Sequence, residues 1–138
     1  MTRLRNEGMI FRASVMQKAL GEPQRMRIMK ILGSSDRHTH NVSDIAKLLD
    51  ISQAATTKHL RILHDAGFVT RERVDSNIFY SVDQAGLREY RQVLDCGFKA
   101  QTTPCTNHYH CETCPENSTC NTDFQWEYEA SSSTRVMR

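Results

Sequence analysis

The stretch Asn41-Val42-Ser43-Asp44-Ile45-Ala46-Lys47-Leu48-Leu49-Asp50-Ile51-Ser52-Gln53-Ala54-Ala55-Thr56-Thr57-Lys58-His59-Leu60-Arg61-Ile62-Leu63-His64-Asp65-Ala66-Gly67 decides the fold. Asn41 is a good N-cap for a short helix, and Asp44 in its first turn suits the positive helix N-terminus. Ile45, Leu48 and Leu49 are expected to face inward. Asp50-Ile51 makes a tight connection, after which Ser52 can cap a longer helix that runs through Ala66 to the stop at Gly67. That helix offers Ala55, Leu60 and Leu63 to a core. Two short helices joined by a brief turn predict a helix-turn-helix.

Upstream, residues 9–20 place Phe11, Val15 and Ala19 at four-residue spacing and end before Gly21, which predicts a first helix. Glu22-Pro23 opens a second helix, with proline where a first turn tolerates it, Met26, Met29 and Leu32 on one face, and Gly33 as the stop. Ser34 to His40 reads as a polar loop. Downstream, residues 68–74 and 78–82 are β-rich runs separated by Asp75-Ser76-Asn77, a predicted hairpin. Asp83 can cap a last helix in which Leu87, Tyr90, Leu94 and Phe98 form an apolar stripe. A domain this small is expected to bury that stripe against a neighbour, such as another subunit. The predicted class is mainly α with a β-hairpin wing, in the order α-α-α-α-β-β-α.

The words Gly21-Glu22-Pro23-Gln24-Arg25-Met26-Arg27-Ile28, Val42-Ser43-Asp44-Ile45-Ala46, Leu49-Asp50-Ile51-Ser52-Gln53, Thr57-Lys58-His59-Leu60, Leu63-His64-Asp65-Ala66-Gly67-Phe68-Val69 and Ile78-Phe79-Tyr80-Ser81-Val82 follow one another in order. Together they resemble the ArsR/SmtB family of transcriptional repressors over roughly residues 10–95. The resemblance implies a winged-helix homodimer, paired through its first and last helices. It also implies binding to a near-palindromic operator and release when an inducer binds.

In a helix-turn-helix the second helix lies in the major groove with its N-terminal residues toward the base edges. Here that helix starts at Ser52. Gln53 can pair bidentately with adenine, Thr56 and Thr57 can bond a base edge or pack on a thymine methyl, and Lys58 and Arg61 can reach phosphate or guanine. The resemblance places Gln53, Thr57 and Lys58 at recognition positions. On the wing, Arg71 and Arg73 flank the turn and Asn77 closes it, an arrangement suited to phosphate or minor-groove contact. An exposed polar helix face is ordinarily just solvated, and the helix-turn-helix context is what favours DNA. His59, beside Leu60, is expected to be structural, and His64 to lie at the surface.

The 138 residues suit one core, and their formal charge of +2 is too mild to name a partner. That average hides a division. Residues 1–99 hold sixteen of the eighteen basic and eleven of the sixteen acidic residues, a balance of +5, leaving −3 for residues 100–138. From Ala100 to Arg135 there is no Leu, Ile, Val or Met, yet four of the five cysteines lie between Cys105 and Cys120. A segment so poor in apolar side chains cannot offset its own ordering entropy unless it docks or binds something through its thiols. Residues 1–99 are therefore expected to bind DNA and dimerise, and residues 100–138 to form a Cys-rich sensor tail.

The family's Cys-x-Cys pair on the third helix falls on Asn41 and Ser43, poor ligands for soft metals, and residues 83–99 hold no histidine. The usual metal sites of the family are thus not carried over. What remains is Cys96 near the end of the last helix, followed by Cys105, Cys111, Cys114 and Cys120. The Cys111-x-x-Cys114 pair is a compact chelate, and its flanking thiolates can close a tetrahedral site for zinc or cadmium or a three-thiolate site for arsenite or antimonite. Four readings of the tail stay open: sensing of a metal or metalloid, a thiol redox or reactive-sulfur switch, a structural zinc knuckle, and a tail without function. Cys96 alone reads equally as a small core side chain. His38-Thr39-His40 could bind a borderline metal, but two loop histidines on their own read as surface residues.

No segment approaches the roughly 20 apolar residues of a membrane span, the start of the chain carries no apolar leader, and an odd number of cysteines suits reduced thiols. The expected setting is the cytoplasm, without membrane contact. No nucleophile, base and orienting group can be assembled, so an enzyme is not expected. The competing class is a winged-helix adaptor with a structural zinc tail.

Overall fold

The computed structural model describes residues 9–102, 104–110 and 113–115. Its elements are α1 (Met9–Leu20), α2 (Pro23–Gly33), α3 (Val42–Leu49), α4 (Gln53–Asp65), β1 (Val69–Val74), β2 (Asn77–Val82) and α5 (Gln84–Thr102). Among the described residues the elements follow the predicted order.

Local hydrogen bonds set most of the boundaries. The Glu22 carboxylate accepts from the amides of Gln24 and Arg25 at 2.7 and 3.1 Å, and Pro23 supplies a first residue that has no amide to orphan. Asn41 and Asp44 form a reciprocal capping box at the start of α3, at 2.9 and 3.2 Å. Ser52 caps α4 through the Ala55 amide at 3.0 Å, and Asp83 caps α5 through the Gly86 amide at 3.1 Å.

The chain divides into two compact units. In residues 16–89 the largest fully buried apolar side chains of the core are Met16, Ile28, Ile45, Leu60, Leu63 and Phe68. Each contributes roughly 1.5–3 kcal/mol of burial. The hairpin is antiparallel, with Val69 opposite Val82 and Val74 opposite Asn77. Its turn is Asp75-Ser76 alone, and Asn77, expected in the turn, opens β2. At the other end of the hairpin, Gly67 has φ 93° and its carbonyl lies against Gly86, the residue at which a Cβ would stand 1.7 Å from that oxygen. In the second unit, which takes in the described residues before Met16 and after Glu89, Ala13 and Val93 are buried together with half-buried Cys96 packed against them.

Two inward assignments are corrected. Leu48 is 61% exposed, because the inner arc of α3 runs through Ile45, Ala46 and Leu49 and leaves Leu48 roughly a quarter turn away. Met26 is 54% exposed, since α2 buries Ile28 and Leu32 instead. On α5 the buried positions are Gly86, Val93 and Gly97, and Phe98, expected to be covered by a neighbouring subunit, is 60% exposed in this chain.

Candidate nucleic-acid interface

α3 hands the chain to α4 through Asp50, which adopts the left-handed conformation at φ 58°. Its amide donates to Lys47 O and the Ile51 amide to Ala46 O, so the end of α3 is closed by backbone bonds and α4 starts two residues later. Aspartate tolerates this conformation better than most residues. α4 then presents two different faces. Thr56, Leu60 and Leu63 are buried, while Gln53, Ala54, Lys58 and Arg61 are exposed and Thr57 is half-buried.

The expected base contact by Thr56 is therefore corrected. Thr56 has no exposed surface, and its hydroxyl donates to the Ser52 carbonyl at 2.9 Å, inside the first turn of α4. It packs the helix and cannot reach a groove. Ser52 is exposed, with its hydroxyl engaged in the cap. Gln53 Nε2 lies 3.4 Å from Ser43 Oγ, a long bond that a base edge can readily replace.

His59 is held from behind. Arg25 donates from Nη1 toward His59 Nδ1 at 3.2 Å and from Nε to the Ala19 carbonyl, tying α4 to the α1–α2 corner. Since arginine only donates, Nδ1 acts as the acceptor in this arrangement. Partial loss of solvent works against the charge on Glu22, but the amides of Arg25 and Gln24 and the nearby Arg25 guanidinium outweigh it and hold its carboxyl below the usual range.

On the wing, Arg71 stands opposite Tyr80 and Arg73 opposite Ile78, so both arginines lie on one pleat face, and both are exposed. Asn77 pairs with Val74 and belongs to the other face. The three wing residues named from the sequence are thus not one patch. Glu72, between the arginines but on the opposite face, takes hydrogen bonds from His38 at 2.8 Å and Arg37 at 2.6 Å. His38 first, then Arg37, hold its carboxyl below the usual range. The sequence reading missed this cluster, and the only signal for it was the parity that sets Glu72 against its two neighbours.

Of the cysteines, Cys96, Cys105 and Cys114 are free thiols. The Tyr109 amide donates to Cys105 Sγ at 3.4 Å across a turn in which His108 and Tyr109 both have positive φ. Cys111 and Cys120 lie outside the described residues. Among the described residues no three His, Cys, Asp or Glu side chains lie close enough together to hold a metal ion.

Residues 22–71, from the cap of α2 into the first strand of the wing, match the family model described as bacterial regulatory protein, arsR family. This segment is an ArsR-family domain. The transcriptional repressor SmtB homolog of Synechocystis sp. (strain ATCC 27184 / PCC 6803 / Kazusa) is 36% identical over 78 residues, 56% of this chain. The match spans 57% of that relative's length. An ArsR-like transcriptional regulator from Rhodococcus sp. RHA1 superposes with a TM-score of 0.55 at 28% identity, over 62% of this chain and 78% of its own. A solved structure described as a possible transcriptional regulator for arsenical resistance gives 0.53 at 27% identity, over 64% and 97%. The ArsR-family domain does not fit a metal at Asn41, the N-cap of α3, and Ser43, in its first turn, where the family carries cysteines. Asn41 Oδ1 is committed to the capping box, and Ser43 offers only a hydroxyl that faces Gln53.

Proposed function

We propose that this chain is a DNA-binding transcriptional repressor that works in the cytoplasm as a homodimer and releases its operator when a thiophilic metal or metalloid, best represented by arsenite, engages its cysteines. The observation that carries the proposal is the exposed polar edge of α4, Gln53, Lys58 and Arg61 with Thr57 beside them, opening at the Ser52 cap and accompanied by Arg71 and Arg73 on the wing. In this reading Gln53 and Thr57 read base edges, while Lys58, Arg61, Arg71 and Arg73 meet phosphates, with Asn77 at the wing tip. The similarity to described repressors and regulators supports it.

The dimer joins through α1 and α5, whose exposed Phe98 supplies apolar surface for a partner. The inducer sites are Cys96, Cys105, Cys111, Cys114 and Cys120, in and beside the tail of residues 100–138. The Cys111-x-x-Cys114 spacing and the similarity to a possible regulator for arsenical resistance support this choice. Cys96 is the link, because it packs against Ala13 where α1 meets α5. An inducer drawn to it acts by preferring the DNA-free arrangement, a coupling typically on the order of 1–3 kcal/mol.

The test is fluorescence anisotropy of reduced full-length protein on labelled operator, titrated with arsenite, antimonite, zinc and cadmium, and separately with disulfide or polysulfide. Release by arsenite or antimonite at stoichiometric levels supports the proposal. Release by polysulfide alone favours the redox reading that the free thiols also permit. Tightly held zinc with no effect on DNA affinity favours the adaptor.

A further inference from the structure

The hairpin is strapped to the loop between α2 and α3 at several points. The Tyr80 amide donates to the His40 carbonyl at 3.4 Å, and Asn41 forms an isolated antiparallel bridge with Phe79. His38 lies beside the Phe79 ring with centroids 5.6 Å apart, and its Nε2 reaches Glu72 Oε1. Arg37 reaches the same oxygen. The strap ends at Asn41, which is also the N-cap of α3. One short segment therefore fixes both the wing and the start of the helix-turn-helix.

Glu72 is otherwise out of place. A carboxylate between two arginines offered to a phosphate backbone reduces the local positive charge and repels the ligand. Its side chain turns to the opposite pleat face, toward Arg37 and His38. An isolated two-stranded hairpin is only marginally ordered, so contacts at its flank govern where its tip stands.

We propose that Glu72, held by Arg37 and His38, is a positioning residue that sets the stance of the wing, so that Arg71 and Arg73 meet the DNA backbone while α4 lies in the groove. None of the three needs to touch DNA. Their contribution is preorganisation: a wing already placed loses less freedom on binding. This inference rests on the DNA-binding reading above.

The experiment uses the full chain and a labelled duplex selected by the wild-type protein from a random-sequence pool, with a scrambled duplex of equal composition as control. Arg37→Gln, Glu72→Thr, their double variant and His38→Ala are compared by anisotropy at several salt concentrations, with thermal melting as the check on folding. Each single variant is expected to lose about two- to fivefold affinity for the selected duplex. The double variant should be no worse than Glu72→Thr alone, because that substitution already removes the Arg37 contact. Hydrogen exchange at the Tyr80 amide should quicken in each while the melting midpoint hardly moves. If Arg37→Gln weakens and Glu72→Thr tightens binding to both duplexes, with additive effects, the residues act as independent surface charges and the inference falls. If the wild-type protein binds neither duplex, the DNA-binding reading falls and takes this inference with it.

Discussion

Two neighbouring threonines show how much one residue of helical rotation decides. Thr56 and Thr57 have the same chemistry, yet Thr56 is sealed in the core with its hydroxyl on Ser52 O, and Thr57 sits at the half-exposed edge. Thr56→Ala is expected to lower unfolding free energy by about 1 kcal/mol and leave base preference intact. Gln53→Ala with Thr57→Ala should do the reverse, costing roughly 1–3 kcal/mol of discrimination per bidentate contact with little change in stability. Urea titration and anisotropy on operator and scrambled DNA separate the two outcomes. Glu22 gives a pH signature. Its folded pKa lies below the ordinary 4.5, so its stabilisation is present above that value and is lost as pH falls through the lower folded pKa. A Glu22→Ala variant should therefore have a lower urea midpoint than wild type at neutral pH and converge with it in acid.

At the scale of elements, the junction of α4, the hairpin and α5 has no room to spare. The Phe68 amide donates to Leu63 O and the Asp83 amide to Phe68 O, closing the root of the hairpin, and Gly86 sits on the Gly67 carbonyl. Gly86→Ala would push a methyl into backbone rather than into a flexible side chain, so it is expected to destabilise by about 3 kcal/mol in chemical denaturation. The wing obeys different rules. Arg73 is exposed near the tip, and Arg73→Ala should weaken binding to every sequence alike and reduce the salt slope by about one. An unchanged slope would place Arg73 away from phosphate.

For the whole molecule, the composition and the compact units divide differently. Charge and cysteine content change near residue 99, whereas compactness changes between Val15 and Met16 and between Glu89 and Tyr90. Residues 90–99 thus share a compact unit with the described part of the tail while belonging chemically to the basic part. Truncation after Lys99 tests which division matters for function. The shortened protein is expected to keep operator binding and dimerisation, read by light scattering, and to lose its response to arsenite. An undiminished response would move the sensor out of the tail.

The order of elements, the start of α2 at Glu22-Pro23, the caps at Asn41, Ser52 and Asp83, the turn at Asp50 and the polar positions of α4 other than Thr56 were legible in the sequence, because each depends on hydrogen bonds or spacing among near neighbours. So was the structural role of His59, from its place beside Leu60. Only the tertiary structure decided that Thr56 is core, that Leu48 and Met26 are exposed, that Asn77 parts from the wing arginines, and that Glu72 belongs to Arg37 and His38. Periodicity shows that a helix or strand has two faces, but which arc is covered depends on the partner it packs against. The strap joins residues 34 and 35 positions apart, and no local rule relates two side chains across such a span.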